Sequence, residues 1–436
     1  MTRILKLSLF FSALYPLASV HAQTTTVVVQ KSQAAPDGNG TFSQFRSPTL
    51  NDAGQAAFLA SLTGTSGGSS DDFGIFLGDG AGGLTQIART GQAAPDSNGT
   101  FSDFDFGDPA LNNAGQAAFA VRLTGVSGGS SDEFGIFFGD EAGGLTQIAR
   151  TGQAAPDGNG TLSRFSNFPA FNDAGQAVFV GFLADSDGEL TGGFGYFRGD
   201  GVTGPTRIAR TGQAAPDGNG TFSGLSIAGR KFRPALNSTG EAAFLARLTG
   251  GSGIFRGDSL NNLTQIARTG QAAPDGNGTF SDSGLGDPAF NNAGQAAFLA
   301  RLTGVSGGSN DEFGIFLGDG ASGLTQIART GQAAPNGNGT FSGFGFGDPA
   351  LNNAGQAAFL ARLTGTSGGI GIFRGDGATD LTQIALTGQA APGGNGTFSN
   401  SGFGDLALND AGQAAFVARL TGTSGRFSDN EGIFFH

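Results

Sequence analysis

The sequence contains no cysteine and no tryptophan, and only two histidines among its 436 residues. Without cysteine there is no disulfide framework, no thiolate nucleophile and no Cys-based zinc site. His21 lies near the N-terminus and His436 is the last residue, which disfavours a Ser-His-Asp triad, a histidine base or a His-rich metal site. An enzyme built on this chain would need carboxylates with Arg, as in a glycosidase, or a metal held by oxygen ligands.

Basic residues are also scarce. The sequence has 23 Lys and Arg against 35 Asp and Glu, which gives a net charge of −12. This balance favours solubility and argues against nucleic-acid binding. Beyond the N-terminus no stretch approaches the roughly 18 apolar residues that a membrane-spanning helix needs. We therefore predict a mature chain without a membrane span, and a monomer.

The N-terminus has the pattern of a secretory signal. Arg3 and Lys6 precede an apolar run from Leu7 to Leu17, and the small residues Val20 and Ala22 stand at the −3 and −1 positions of a cleavage site. The run is too short for a membrane anchor, which is the alternative. We predict a signal peptide over residues 1–22 and a secreted mature protein, extracellular or periplasmic, that begins after Ala22.

A motif of Asn-x-x-Gly, with Phe seven positions after the Asn, recurs seven times at intervals of about 60 residues. The copies begin at Asn51, Asn112, Asn172, Asn237, Asn291, Asn352 and Asn409. Each repeat contains four candidate strands, which in the first copy are residues 45–51, 55–63, 73–78 and 84–90. The second strand is apolar on both faces, as expected for a sheet packed between two neighbours. Repeats of this length predict one all-β domain over residues 23–436, a seven-bladed β-propeller of four-stranded antiparallel blades.

The seventh repeat lacks its fourth strand, because the sequence ends soon after strand three, at residues 431–436. Residues 25–30 align with the fourth strands of the other repeats, because both precede a Gln-Ala-Ala-Pro segment. We predict that this N-terminal strand completes the last blade and closes the ring, which also covers an open sheet edge. The alternative is an open β-solenoid of the same repeats.

The phrase "PALNNAGQAAFLARLTG", followed by "LTQIARTGQAAPDGNGTF", resembles the bacterial choice-of-anchor tandem-repeat family with the Asn-x-x-Gly-x-x-Ala-Phe motif. The resemblance covers essentially the whole mature chain, and it implies an exported or envelope-associated protein. The family usually carries a C-terminal sorting signal, and this sequence shows none after the last repeat. Similarity of layout to TolB-type propeller repeats implies that strand one is innermost and strand four outermost.

Loops with the sequence Asp-Gly-Asn-Gly, or a close variant, precede each first strand. The aspartates of these loops could bind calcium. Against this, the aspartate is replaced by Asn336 and by Gly393 in later copies, and the Gly and Glu of an EF-hand loop are missing. No other cofactor is expected. An Arg that recurs at the end of strand two, as at Arg122 and Arg301, is expected to pair with an Asp or to lie along the blade edge.

The repeat pattern is broken most in two consecutive loops. Residues 184–197 replace a Gly/Ser loop with acidic residues and a tyrosine, and residues 224–237 add basic residues. The candidate ligand-binding residues are Asp185, Asp187, Glu189, Tyr196, Arg230, Lys231 and Arg233. They predict a pocket for an anionic sugar or a cation, and the alternative is a salt-bridge cluster on the surface.

Near-identical repeats favour a multivalent binding surface, whereas catalysis needs one asymmetric site. We therefore expect a non-catalytic binding or scaffold module of the cell envelope, with an extracellular glycan or protein as ligand. The alternative is a carbohydrate-active enzyme, a hydrolase or lyase that uses carboxylates.

Overall fold

Seven antiparallel sheets are arranged as blades in a ring, as the repeats predict. The computed structural model describes residues 26–436 except 82, 105–106, 167, 186–192, 225–232, 260–261, 309–310, 345–346, 366–368, 378–379 and 425–429. The predicted signal peptide lies outside the described residues. In the described part, the helical segments are short 3₁₀ turns, at Gly68–Ser70, Gly129–Asp132, Pro216–Gly218, Pro335–Gly337 and Pro392–Gly394. No helix of that part is long and apolar enough to cross a membrane.

The strands of the seven blades follow one order, in which the first strand usually comes in two pieces. Blade one contains β2 (Thr41–Phe45), β3 (Thr49–Leu50), β4 (Ala56–Thr63), β5 (Phe73–Gly78) and β6 (Leu84–Arg89); blade two β7 (Thr100–Asp103), β8 (Ala110–Leu111), β9 (Ala117–Thr124), β10 (Phe134–Gly139) and β11 (Leu145–Arg150); blade three β12 (Thr161–Phe165), β13 (Ala170–Phe171), β14 (Ala177–Ala184), β15 (Phe194–Gly199) and β16 (Thr206–Arg210); blade four β17 (Phe222–Gly224), β18 (Ala235–Leu236), β19 (Ala242–Leu248), β20 (Gly251–Gly257) and β21 (Leu263–Arg268). Blade five contains β22 (Thr279–Leu285), β23 (Ala289–Phe290), β24 (Ala296–Thr303), β25 (Phe313–Gly318) and β26 (Leu324–Arg329); blade six β27 (Thr340–Gly343), β28 (Ala350–Leu351), β29 (Ala357–Thr364), β30 (Gly369–Gly375) and β31 (Thr382–Leu386); blade seven β32 (Thr397–Leu408), β33 (Ala414–Thr421), β34 (Glu431–Phe435) and β1 (Thr26–Gln30).

The N-terminal strand completes the last blade. Strand β1 pairs antiparallel with β34, and the register runs from Thr26 opposite Phe435 to Gln30 opposite Gly432. Blade seven therefore has the order β1-β34-β33-β32, and its outer edge is formed by the other end of the chain. The predicted ring closure is confirmed, and the open solenoid is excluded.

The first strand is longer than predicted and is interrupted. It begins at Thr41 rather than at residue 45, and in blade one it breaks before it resumes at Thr49. Pro48 lies in the break, where it has no N–H to donate to the ladder. In blade seven Leu406 replaces this proline, and β32 runs without a break over Thr397–Leu408. The proline thus explains why the other first strands split.

The short second pieces of the first strands surround a central channel, and neighbouring pieces contact one another around the ring. They are β3, β8, β13, β18, β23 and β28, with the end of β32 in blade seven. Strand one is therefore innermost and strand four outermost, as the TolB-like layout implied.

The hydrophobic core lies between blades. One face of each blade carries Phe and the other carries Ala, Leu and Ile, so that aromatic rings of one blade pack on aliphatic side chains of the preceding blade. Leu59 and Ile75 of blade one thus pack with Phe101 and Phe119 of blade two. Many rings within a blade meet edge to face, as Phe101 and Phe137 do at 5.2 Å between ring centroids. Most of the described Phe side chains therefore form core.

Candidate functional site

The recurrent motif asparagine links one blade to the next. The Asn51 Oδ1 atom accepts a hydrogen bond from the backbone N–H of Gln55 at 2.8 Å, which closes the turn between strands one and two. Its Nδ2 donates to the Asn112 carbonyl of blade two at 3.1 Å. The predicted strands imply a turn here, but the local pattern does not indicate the second bond, because its partner lies a whole repeat away.

The same link occurs at six of the seven blade junctions among the described residues. The donor and acceptor residues are Asn51 and Asn112, Asn112 and Asn172, Asn172 and Asn237, Asn291 and Asn352, Asn352 and Asn409, and Asn409 and Asn51. Each motif amide also donates to the side chain four positions later, which is Gln in six repeats, as Asn51 does to Gln55. For Asn237 the described amide bond is this one, to Glu241 at 3.4 Å.

One end of the central channel is closed by a second ring, formed by the residue that follows each motif asparagine. The Asn113 amide donates to Asp52 at 2.8 Å and to Asp173 at 3.0 Å, and the Asp410 N–H donates to Asp52 at 2.7 Å. The cavity left at this end is about 150 Å³. These carboxylates hold neighbouring blades together.

The wider part of the channel is a cavity of about 360 Å³, lined by the inner strands and by the residues that precede their prolines. The lining residues that precede a proline are Asp108, Asp287 and Asp348, with Phe168 and Arg233 at the same position in blades three and four. Arg233 of blade four lies with its guanidinium 4.2 Å from the Phe168 ring centroid, and its Nη2 is 2.5 Å from the Asp108 carboxylate. The arginine therefore connects three blades through a cation–π contact and an ion pair.

Two other candidate residues are in described positions. Asp185 follows the end of β14 and is half-buried. Tyr196 does not belong to a surface loop, which corrects its assignment as a ligand-binding residue. It lies in β15, where other blades carry a buried Ile such as Ile136, and only 2% of it is exposed.

The Tyr196 hydroxyl donates to the Leu245 carbonyl at 2.6 Å, and its ring stacks on Phe244 of blade four. Burial raises the pKa of Tyr196 well above its usual value of 10.0. Alignment with the isoleucines was the signal that could have placed it in the core. Asp187, Glu189, Arg230 and Lys231 lie outside the described residues, so the predicted loop pocket stays a prediction.

Four aspartates of the Asp-Gly-Asn-Gly loops and their variant pair with arginine. Asp37 accepts a hydrogen bond from the Asn39 N–H at 2.9 Å and lies 2.6 Å from Nη1 of Arg89, at the end of strand four. The same pair recurs as Asp96 with Arg150 at 2.9 Å, Asp157 with Arg210 at 2.7 Å, and Asp275 with Arg329 at 2.7 Å.

The sequence contained a signal for this pairing that was missed: the repeat with Asn336 in place of Asp also has Leu386 in place of the arginine. In the described part of the chain no three His, Cys, Asp or Glu side chains are grouped to hold a metal ion. Calcium at these loops stays a prediction.

The arginines at the end of strand two pair with glutamate, where aspartate was expected. Arg122 lies 3.0 Å from Glu133, and Arg301 lies 3.0 Å from Glu312. These arginines are about half exposed, so the pairs contribute little to stability. Blade one carries Ser61 at this position.

The fold thus defines a seven-bladed β-propeller that is closed by its N-terminal strand. The sequence profile of the family of unknown function DUF7453 matches residues 11–154 and 105–436. The chain belongs to this family.

The chain is similar in fold to several solved structures. The β-propeller domain of the Trilobed protease from Pyrococcus furiosus matches with a TM-score of 0.50 at 10% identity, over 90% of this chain and 95% of that one. That domain has an open velcro topology, whereas here β1 pairs with β34.

Two further structures match at lower TM-scores. The acylaminoacyl peptidase of Pyrococcus horikoshii has a TM-score of 0.46 at 9% identity, over 90% of this chain and 51% of that one. The polysaccharide lyase Uly1 has a TM-score of 0.45 at 10% identity, over 95% of this chain and 97% of that one. No curated protein matches the sequence.

Proposed function

We propose that this protein is a secreted, non-catalytic binding module of the bacterial cell envelope, whose ligand site is the wide part of the central channel. The ligand is an extracellular glycan or a protein. This proposal includes the relationship to the choice-of-anchor surface proteins, which rests on the repeat motif alone.

The observation that carries the proposal is the arrangement of Arg233, Phe168 and Asp108. In a ring of near-identical blades, the residues before the inner-strand prolines form the part of the channel that differs from blade to blade. Asymmetric polar and aromatic groups around a concave apolar surface are what a specific binding site requires. The carboxylates in the loops and at the narrow end of the channel form pairs that stabilise the ring, which supports binding rather than catalysis.

Histidine chemistry gains no support from the structure. The His436 backbone pairs with Ala414, and burial, with the charge of Arg374, lowers the pKa of its side chain. His436 is the last residue of blade seven. It follows β34, the third strand of that blade, and is not among the residues that line the channel.

The experiment is a glycan-array screen of residues 23–436 with the wild type, Arg233→Ala and the control Arg122→Ala. Arg122 is about half exposed, and its guanidinium lies 3.0 Å from Glu133 and 5.8 Å from the Phe134 ring centroid, both in its own blade. Binding that Arg233→Ala weakens at least tenfold, and that Arg122→Ala leaves unchanged, supports the proposal. Equal binding by all three proteins contradicts the channel site.

The alternative, a carboxylate-dependent carbohydrate-active enzyme, rests on Asp71 and Asp72. Hydrogen bonds from Thr65, Asn39 and the Gly67 N–H lower the pKa of Asp71 against the effect of burial. Burial, followed by the charges of Asp71 and Asp103, raises the pKa of Asp72. Neighbouring carboxyls with pKa values shifted apart are typical of acid–base pairs. Cleavage of a polysaccharide by the wild type, lost in Asp72→Asn, would favour the enzyme over the binding module.

A further inference from the structure

The junction where the ring closes contains a cleft of about 460 Å³ between blades seven and one. Its lining includes Lys31, Arg46, Arg419 and Glu431, together with Ser61 and Phe73. The volume is within the usual range of small-molecule sites. Three of these side chains are cationic and one is anionic, in a chain whose net charge is −12.

Substitutions relative to the other repeats account for this cleft. Lys31 follows β1 at the position where the other six blades have Thr, such as Thr90, whose hydroxyl bonds to the Phe73 backbone of its own blade. A lysine cannot make that compact double contact, because its ammonium is at the end of a flexible four-carbon stem. The Lys31 side chain lines the cleft instead.

A second substitution supplies space. Ser61 of β4 stands where five of the other blades carry Arg, as at Arg122 and Arg301, and its short side chain leaves room beside blade seven. Glu431 stands where most blades have a large apolar residue at the start of strand three, such as Phe134. It lies 3.9 Å from Arg419, a loose pair with the arginine 61% exposed.

The third substitution adds charge. Arg46 follows β2, and its backbone N–H donates to the Leu59 carbonyl, in the same way as that of Ser166 in blade three and Gly286 in blade five. The equivalent residues there are small, whereas Arg46 brings a guanidinium to the cleft. The substitutions thus converge on a single junction and produce an open pocket in which cationic side chains predominate.

We propose that this cleft binds an anionic saccharide, a sugar that carries a carboxylate or a sulfate group. Lys31, Arg46 and Arg419 present cations to the acid group, for which charge-assisted hydrogen bonds are strong. Gln44, Ser61 and Asn430 supply hydrogen bonds for hydroxyls, and the half-buried Phe73 supplies an apolar surface for the sugar ring. The cleft is separate from the channel, so the proposed function and this site stand or fall independently.

The test is calorimetric titration of residues 23–436 with tetragalacturonate, a sulfated galactose tetrasaccharide, sodium sulfate and the neutral cellotetraose. We expect binding of one or both acidic tetrasaccharides, weakened by added salt because the pairs are partly exposed, and no binding of cellotetraose. The two acidic ligands distinguish carboxylate from sulfate. Binding of sodium sulfate as tight as that of the tetrasaccharides would overturn the saccharide part of the proposal.

The decisive variants introduce the residues that other repeats carry at the equivalent positions. Because those residues occur in folded blades, the variants are expected to fold. Lys31→Thr should weaken binding about tenfold, which corresponds to roughly 1.4 kcal/mol of binding free energy. Ser61→Arg should abolish binding, because the arginine side chain fills the cleft. Arg122→Ser, which opens space beside blade one without adding cations, should leave it unchanged. No binding of any acidic probe to the wild type, or binding that survives both Lys31→Thr and Ser61→Arg, would overturn the proposal.

Discussion

The Asn409 side-chain amide donates a hydrogen bond to the Asn51 carbonyl at 3.2 Å, across a separation of 358 residues. The same contact joins consecutive motif asparagines at five other junctions, so the last repeat meets the first as if it were the next in line. Ring closure therefore involves the inner asparagine ring, the bond from the Asp410 N–H to Asp52, and the outer pairing of β1 with β34.

The outer contact gives the first prediction. Deleting residues 23–31 removes β1 and with it the buried Val28 and Val29, which pack against Ile433 and blade one. Burial of two such valines contributes about 3–6 kcal/mol, and the exposed edge of β34 loses its backbone partners. We expect a marked fall in the thermal unfolding midpoint.

A matched control for this deletion is a permuted chain that carries residues 23–31 after His436 through a flexible linker. It should regain most of the lost stability, because the segment can pair with β34 whether it is joined to the N-terminal or to the C-terminal end of the chain. An unchanged midpoint in the deleted protein would contradict closure by β1.

The inner ring gives a second prediction. Asn409→Ala removes the bond to Asn51 and the acceptor for the Gln413 N–H, which lies at 2.8 Å. Leaving buried partners unpaired costs about 1–3 kcal/mol each. Asn237→Ala is the control, because its described amide bond stays within blade four. Urea unfolding should show a larger loss for Asn409→Ala, and equal losses would mean that the link between blades contributes nothing.

The repeat pattern predicted the ring, the number of blades and the strand that closes it, because periodic apolar strands and a divided repeat are local signals. It did not predict the break in strand one, although Pro48 was visible, because strand assignment followed the apolar pattern. The pairing of Asp37 with Arg89 and the link from Asn51 to Asn112 were missed because they join residues more than 50 positions apart. Tyr196 was assigned to a site by its rarity, whereas its position among isoleucines indicated the core.

Acidification gives a third prediction. Burial raises the pKa of Asp157, but hydrogen bonds from Arg210 and the Asn159 N–H, with the charges of Arg210 and Arg207, outweigh it and lower the pKa below 3.8. A carboxyl whose pKa is lowered by folding stabilises the fold at pH values above its pKa in the unfolded chain. This stability is lost as the pH falls through its pKa in the folded protein. Asp157→Asn should therefore destabilise the protein by about 1–3 kcal/mol at pH 7.

The stability difference between wild type and Asp157→Asn should shrink as the pH falls below 3.8. Thermal midpoints of both proteins between neutral pH and roughly pH 2 would check it, since that range spans the titration of a free aspartate. Parallel curves over the whole range would show that the ionised Asp157 contributes no stability.

The paired replacement in blade six leads to the last prediction. Arg329 of blade five has 5% of its side chain exposed, lies 2.7 Å from Asp275 and donates to the Asn277 carbonyl at 2.7 Å. Arg329→Leu should cost about 3 kcal/mol, because it breaks a largely buried set of charged hydrogen bonds. Asp275→Asn should cost about 1 kcal/mol, because Asp275 is 41% exposed.

The double variant, which copies Asn336 and Leu386 of blade six, should lose less than the sum of the two single changes, by about 0.5–1 kcal/mol. The reverse pair, Asn336→Asp with Leu386→Arg, should raise the unfolding free energy of the protein, whereas Leu386→Arg alone should not. Strict additivity in the blade five cycle, measured by urea unfolding, would show that the two positions change together for a reason other than this ion pair.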